Sequence, residues 1–166
     1  VISPLEGSPL KFIHPRKGPM SPEQMVEDIR TYIERDKSAR YKIVLGTDSQ
    51  TSHRETLFVT AIIVHRVGKG ALFYYARHRT QPILDLRYRI YRETELSLSC
   101  MEKLKEMGLI GLLADLPVEI HLDVGRRGET RKLIQEVVGW VTSVGYTVKI
   151  KPEAYAASAV ADRFTK

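Results

Sequence analysis

Tyr41-Lys-Ile-Val-Leu-Gly-Thr-Asp-Ser-Gln50 reads as a strand whose apolar centre, Ile43-Val44-Leu45, gives way to a polar end from Gly46 to Gln50. The next run, Leu57 to Val67, is unusually rich in β-branched residues and predicts a second strand. Gly68-Lys69-Gly70 supplies a hairpin turn, and Ala71 to Arg79 reads as a third strand. Three consecutive strands joined in this way form an antiparallel meander. On the N-terminal side of Tyr41, Ser21-Pro22-Glu23-Gln24 marks a helix start. Ser21 can cap, Pro22 suits the first turn, and Gln24 can reach back as the third residue of a capping box. Met25, Ile29 and Tyr32 or Ile33 would line the buried stripe, and the helix should end near Asp36-Lys37-Ser38. Residues 1–20, rich in Pro, Gly and basic residues and without a period, read as an extended N-terminal arm.

On the C-terminal side of the meander, a long helix is expected from about Leu84 to Met107, ending at Gly108. Pro117 breaks the chain before a strand over Val118 to Asp123. Thr130 to Val144 reads as a helix ended by Gly145, Tyr146 to Lys151 as a fifth strand, and a terminal helix from about Ala154 carries Asp162. Strands that lead into helices pair in parallel, with the helices covering the sheet. The expected fold is therefore α/β: a mixed five-stranded sheet, three antiparallel strands followed by parallel ones, flanked by helices and preceded by an extra N-terminal helix. Residues 21–166 make one domain behind the arm, with no internal repeat.

Composition bounds the function. At 166 residues, with 43% hydrophobic and 28% charged residues, the chain suits one globular domain and argues against disorder or a fibrous protein. No apolar run is long enough to cross a bilayer, and Val1-Ile-Ser-Pro-Leu-Glu-Gly-Ser lacks the basic and apolar regions of a secretory signal. A soluble, cytoplasmic protein is the expectation. The chain does not begin with Met and reads as a fragment or processed product. Cys100 is the only cysteine, which excludes an internal disulfide and any multi-cysteine metal cage. The net charge of +6 and pI near 9.5 suit an acidic partner such as nucleic acid, through phosphate attraction and counterion release.

Two strands end in a carboxylate, Asp48 and Asp123, and each is followed by small or flexible residues. Ligands of open α/β sheets gather outside the carboxyl ends of strands, so the two acids could converge if their strands are neighbours. Two acids alone would repel, whereas a divalent cation removes that penalty. The plainer alternative is that each Asp caps a turn. The long helix adds a third acid. Ile90, Glu93, Ser97, Met101 and Leu104 share a face by their three- and four-residue spacings, so Glu93 points inward with the apolar stripe. Arg89 is a candidate partner for it. Glu95 lines up instead with Arg92, Ser99 and Glu102, a set that reads as a solvated face. In the small-residue terminal helix, Asp162 follows Ser158 by four residues and Tyr155 by seven. It would sit near the site if that helix packs closely and be merely exposed if the end frays.

With these acids in this order the chain resembles the ribonuclease H-like superfamily. Gly46-Thr-Asp-Ser-Gln50, His65-Arg-Val-Gly-Lys-Gly70, His121-Leu-Asp-Val-Gly125, Gly139-Trp-Val-Thr142 and Ala161-Asp-Arg-Phe-Thr-Lys166 look like a family of uncharacterised bacterial proteins grouped there as predicted nucleases. The resemblance spans about residues 21–166. It implies that Asp48, Glu93, Asp123 and Asp162 are catalytic ligands of two Mg²⁺ or Mn²⁺ ions about 4 Å apart, used to hydrolyse phosphodiester bonds. One ion would prepare a water nucleophile and the other would stabilise the leaving oxygen, so no side-chain base is required. His53 and His121 therefore receive no firm role.

Basic residues lie next in sequence to the proposed ligands. Arg77, His78, Arg79, Arg87, Arg89 and Arg92 straddle the entry to the Glu93 helix, and Arg126, Arg127, Arg131 and Lys132 follow Asp123. Arg87, Arg89, Arg126 and Arg127 are the candidate nucleic-acid contacts; the alternative is that such residues are solvated or pair with acids. Gly125-Arg-Arg-Gly128 before a helix could hold a phosphate on its amides. Tyr74, Tyr75, Tyr88 and Tyr91 read as core or rim residues rather than a base-stacking platform. The expected function is a divalent-metal-dependent nuclease acting on RNA, an RNA–DNA hybrid or structured DNA. Its rivals are a nucleic-acid-binding module with weak catalysis and an enzyme of small nucleotides.

Overall fold

The computed structural model describes residues 11–109, 111, 116–124 and 131–156, with the side chains of residues 108 and 109 left aside. Two strands stand ahead of the first helix, β1 (Phe12–His14) and β2 (Gly18–Met20), paired antiparallel with Phe12 opposite Met20. Gly18, at φ 80°, takes a backbone conformation that side chains disfavour. Ile13 of β1 pairs with Tyr75 of a later strand, so this hairpin extends the main sheet. The expected arm thus supplies two strands. Each has three residues, too few to register an alternation against Pro15 and Pro19. Pro19 has no amide to donate and sits on the outermost strand, where none is needed.

Helix α1 (Pro22–Glu34) starts as its sequence dictates: Gln24 N donates to Ser21 Oγ at 3.1 Å and Ser21 N donates to Gln24 Oε1 at 2.8 Å. Met25, Val26 and Ile29 are buried beneath it. Asp28 ties three elements together, accepting from Lys17 Nζ at 2.7 Å and from Tyr74 Oη at 2.5 Å.

Strands β3 (Tyr41–Thr51), β4 (Thr56–Arg66) and β5 (Ala71–Thr80) form the expected antiparallel meander, with Gly68 and Gly70 at positive φ in the second turn. Helix α2 (Leu86–Leu104) follows. It begins two residues later than the apolar pattern suggests because Asp85 caps it, accepting from Arg87 N at 3.0 Å, and it runs into a π-helical turn over Lys105–Leu109. Strand β6 (Val118–His121) then pairs parallel to β3, and after α3 (Arg131–Val144) strand β7 (Thr147–Lys149) pairs parallel to β6. The sheet has seven strands in the order β2-β1-β5-β4-β3-β6-β7, rather than five, and β3 and β6 are neighbours inside it.

Side-chain alternation divides this sheet. On one face Ile43, Leu45, Ile62, Val64, Tyr74 and Ile120 meet the apolar stripes of α1, α2 and α3 in a single core. On the other, Val44, Val59, Ala61, Ile63 and Tyr75 cluster with Ala156. β6 is shorter than its apolar run, yet the pairing persists beyond it: Leu122 N donates to Lys149 O at 2.9 Å and Lys151 N to Val124 O at 3.0 Å. Among the described residues no helix is long and apolar enough to cross a membrane.

Candidate metal centre

Asp48 lies near the end of β3, opposite Val59 of β4 and on the face that carries Val44. The parallel register sets Gly46 beside His121, and Asp48 and Asp123 each come two residues later in chains spaced about 5 Å apart. Neighbouring parallel strands therefore deliver both acids to one end of the sheet. Asp48 Oδ1 accepts the amide of Ser49 at 2.9 Å. Ser49 itself alternates to the helical face, where its hydroxyl donates to Glu93 Oε2 at 2.5 Å. Ser97, one turn beyond Glu93, shares a hydrogen bond of 2.8 Å with Thr47, which shares another of 2.9 Å with Thr60. These three hydroxyls are buried and lock α2 onto β3 and β4, so that the Glu93 carboxylate meets the strand end.

Glu93 is pushed up to about 8. Burial is the main cause, the Ser49 hydrogen bond and the Arg89 charge oppose it, and the charges of Asp48 and Asp123 add to it. Both aspartates thus act on Glu93 across the strand end. Lys151 Nζ stands 2.9 Å from Asp123 Oδ1. That contact and the Asp123 charge raise the lysine above its ordinary value against slight burial, and Asp48 reinforces them. Asp162 lies outside the described residues.

Among the described residues, no group of three His, Cys, Asp or Glu side chains is drawn tightly enough to enclose an ion. The donor chemistry nevertheless fits a hard divalent cation. Carboxylate oxygens are the ligands that Mg²⁺ and Mn²⁺ select, and a double positive charge offsets both the burial and the neighbouring aspartate charges that raise Glu93.

The histidines do other work. His53 is exposed in the turn between β3 and β4. His121 is 1% exposed, and both its ring nitrogens are engaged. Nδ1 accepts the amides of Tyr155 at 3.1 Å and Ala156 at 3.2 Å, which leaves Nε2 to donate to Glu119 at 3.0 Å. Burial lowers its pKa despite Glu119, which is itself paired with Lys42 at 3.2 Å. His121 is an anchor for the chain entering the terminal segment.

The basic residues divide. Arg89 lies beside the acids, donating from Nη1 to Thr51 Oγ1 at 3.2 Å. Arg87 is exposed and pairs with Glu136 of α3 at 3.1 Å. Arg79 pairs with Glu55, Arg77 lies over the Tyr75 ring, and Arg126 and Arg127 lie outside the described residues. The Arg92 and Glu95 set is not a solvated face throughout: the Arg92 side chain is 11% exposed and pairs with Glu95, while Glu102 is exposed. Tyr74 and Tyr75 are core residues, Tyr91 packs near Trp140, and Tyr88 is exposed. The roles of Ser49, Lys151, Thr47 and Thr60 escape a reading of the sequence alone, whereas Ser97 already falls on the inward face of the helix. The signal for Lys151 was its position at the end of the fifth strand, in step with Asp123 at the end of the fourth.

The sequence profile of the ribonuclease H-like family matches residues 24–166. The uncharacterised protein YkuK of Bacillus subtilis (strain 168) is 37% identical over 166 residues, covering 93% of this chain and 96% of that protein. No solved structure matches the chain. The profile covers most of the chain and the mixed sheet suits it, and the chain belongs to the ribonuclease H-like family.

Proposed function

We propose that this protein is a divalent-metal-dependent nuclease that hydrolyses phosphodiester bonds in RNA, an RNA–DNA hybrid or structured DNA. The observation that carries the reading is the grouping of Glu93 with Asp48 and Asp123 just past the point where β6 gives out beside β3. Asp48, Glu93 and Asp123 would hold Mg²⁺ or Mn²⁺, with Asp162 as the fourth acid of the set. Bound there, the metal supplies an activated water and stabilises the leaving oxygen. Asp48 is the central ligand, since its strand lies between the strand behind Asp123 and the helix-bound Glu93. Ser49 orients Glu93 through its hydroxyl, and the Thr47, Thr60 and Ser97 hydroxyls hold the helix in register. Arg89, a few residues before Glu93 on the same helix, suits a phosphate oxygen, with Arg126 and Arg127 as further candidates. Arg87 joins them only by giving up Glu136.

Calorimetry with Mn²⁺ tests the site. Wild type should bind, and Asp48→Asn should lose most of the heat; equal binding by the two proteins would place the metal elsewhere. Gel assays over RNA, hybrid and branched DNA with Mg²⁺ or Mn²⁺ test the chemistry, with cleavage abolished in Asp123→Asn. A second reading, a nucleic-acid-binding module with little catalysis, draws support from the lysine that already engages Asp123. Retention of labelled substrate without cleavage by the metal-loaded wild type would favour it.

A further inference from the structure

Lys151 is a basic side chain in direct contact with an acid of the centre, and its place is set by backbone rather than by chance. Leu122 N donates to Lys149 O and Lys151 N donates to Val124 O, so hydrogen bonds bracket Asp123 on both sides and hold Lys151 alongside it. The ammonium then reaches Asp123 Oδ1 at 2.9 Å, within range of the Asp48 charge as well. The lysine side chain is 55% exposed and the aspartate 24%. An ion pair this open contributes little to stability. Its effect falls on the acids, whose crowding a single mobile positive charge partly offsets. An ammonium on a flexible four-carbon stem can swing into water, and a doubly charged ion competes for the same oxygen from a stronger position.

We propose that Lys151 is a resident counter-cation of the acid centre, holding Asp123 until a divalent metal ion displaces it, so that the lysine sets how readily the centre loads. The inference rests on the metal-centre reading above and deepens it. A lysine that served only to orient Asp123 would have the opposite effect on removal, because a disordered ligand binds metal less well. The sign of the change therefore separates the two roles.

The test is Mn²⁺ calorimetry on folded, intact protein, comparing wild type with Lys151→Met, Lys151→Arg and Asp123→Asn after circular dichroism and melting confirm that each folds. Lys151→Met should bind Mn²⁺ about threefold to tenfold more tightly, since both a competitor for Asp123 and a nearby like charge are gone. Lys151→Arg, which keeps the charge, should stay near wild type. Unchanged or weaker binding by Lys151→Met, where wild type binds and Asp123→Asn does not, overturns the counter-cation role and leaves the metal centre standing. No Mn²⁺ binding by either wild type or Lys151→Met overturns both.

Discussion

At the scale of single residues, one side chain, His121, was legible only as an ambiguity. A histidine two positions before a strand-end aspartate can be a proton carrier or a structural group, and the sequence holds nothing to choose between them. The structure chooses by occupying both nitrogens, with two amides at Nδ1 and Glu119 at Nε2. His121→Leu should therefore leave the Tyr155 and Ala156 amides without their acceptor. With each such bond worth about 1 kcal/mol, exchange of those two amides should quicken about fivefold while the β3 and β4 amides keep their protection. Unchanged exchange at 155 and 156 in a folded variant would show that another contact holds this segment. Glu93 was legible for a better reason: helical spacing alone turned it inward, and only a partner such as Ser49 was needed to complete its setting.

At the scale of elements, the strands and helices with strong periodicity stood out in the sequence, and the short ones did not. The capping box of α1, the β3 to β5 meander and the parallel pairing of β6 and β7 all follow from pattern. The first hairpin does not, because its attachment depends on a tertiary contact, Asp28 of α1 gripping both Lys17 and Tyr74. Burial raises the Asp28 carboxyl, but the hydrogen bonds from Lys17 and Tyr74 outweigh it and hold the group below the usual carboxylate range. A carboxyl lowered on folding stabilises above its unfolded value near 3.9, and that contribution disappears as pH falls through the folded value. Asp28→Asn should cost about 1 to 2 kcal/mol at pH 7, a few degrees in melting temperature, and the gap to wild type should close below about pH 3.9. A gap of constant size down to pH 3 would mean that packing, not charge, is what the substitution removes.

At the scale of the whole molecule, the fold places acids by topology. The three antiparallel strands bring Asp48 to the border with β6, and the parallel return brings Asp123 to the same end, the neighbouring-strand condition on which the sequence lets two distant strand-end carboxylates converge. What could not be read was the lateral extent of the sheet. The β1 and β2 hairpin covers the middle of β5 at Tyr75. Without it, β5, ten residues long with Phe73 39% exposed, becomes the outermost strand. Such a border, with open amides and an aromatic side chain, invites a second molecule to add itself. A chain begun at Ser21 should thus self-associate at concentrations where the full chain does not, a difference that light scattering would register; equal scattering from the two would deny the hairpin that part. On the first outcome its six residues of strand would be a guard against aggregation, separate from the chemistry proposed for the acid centre.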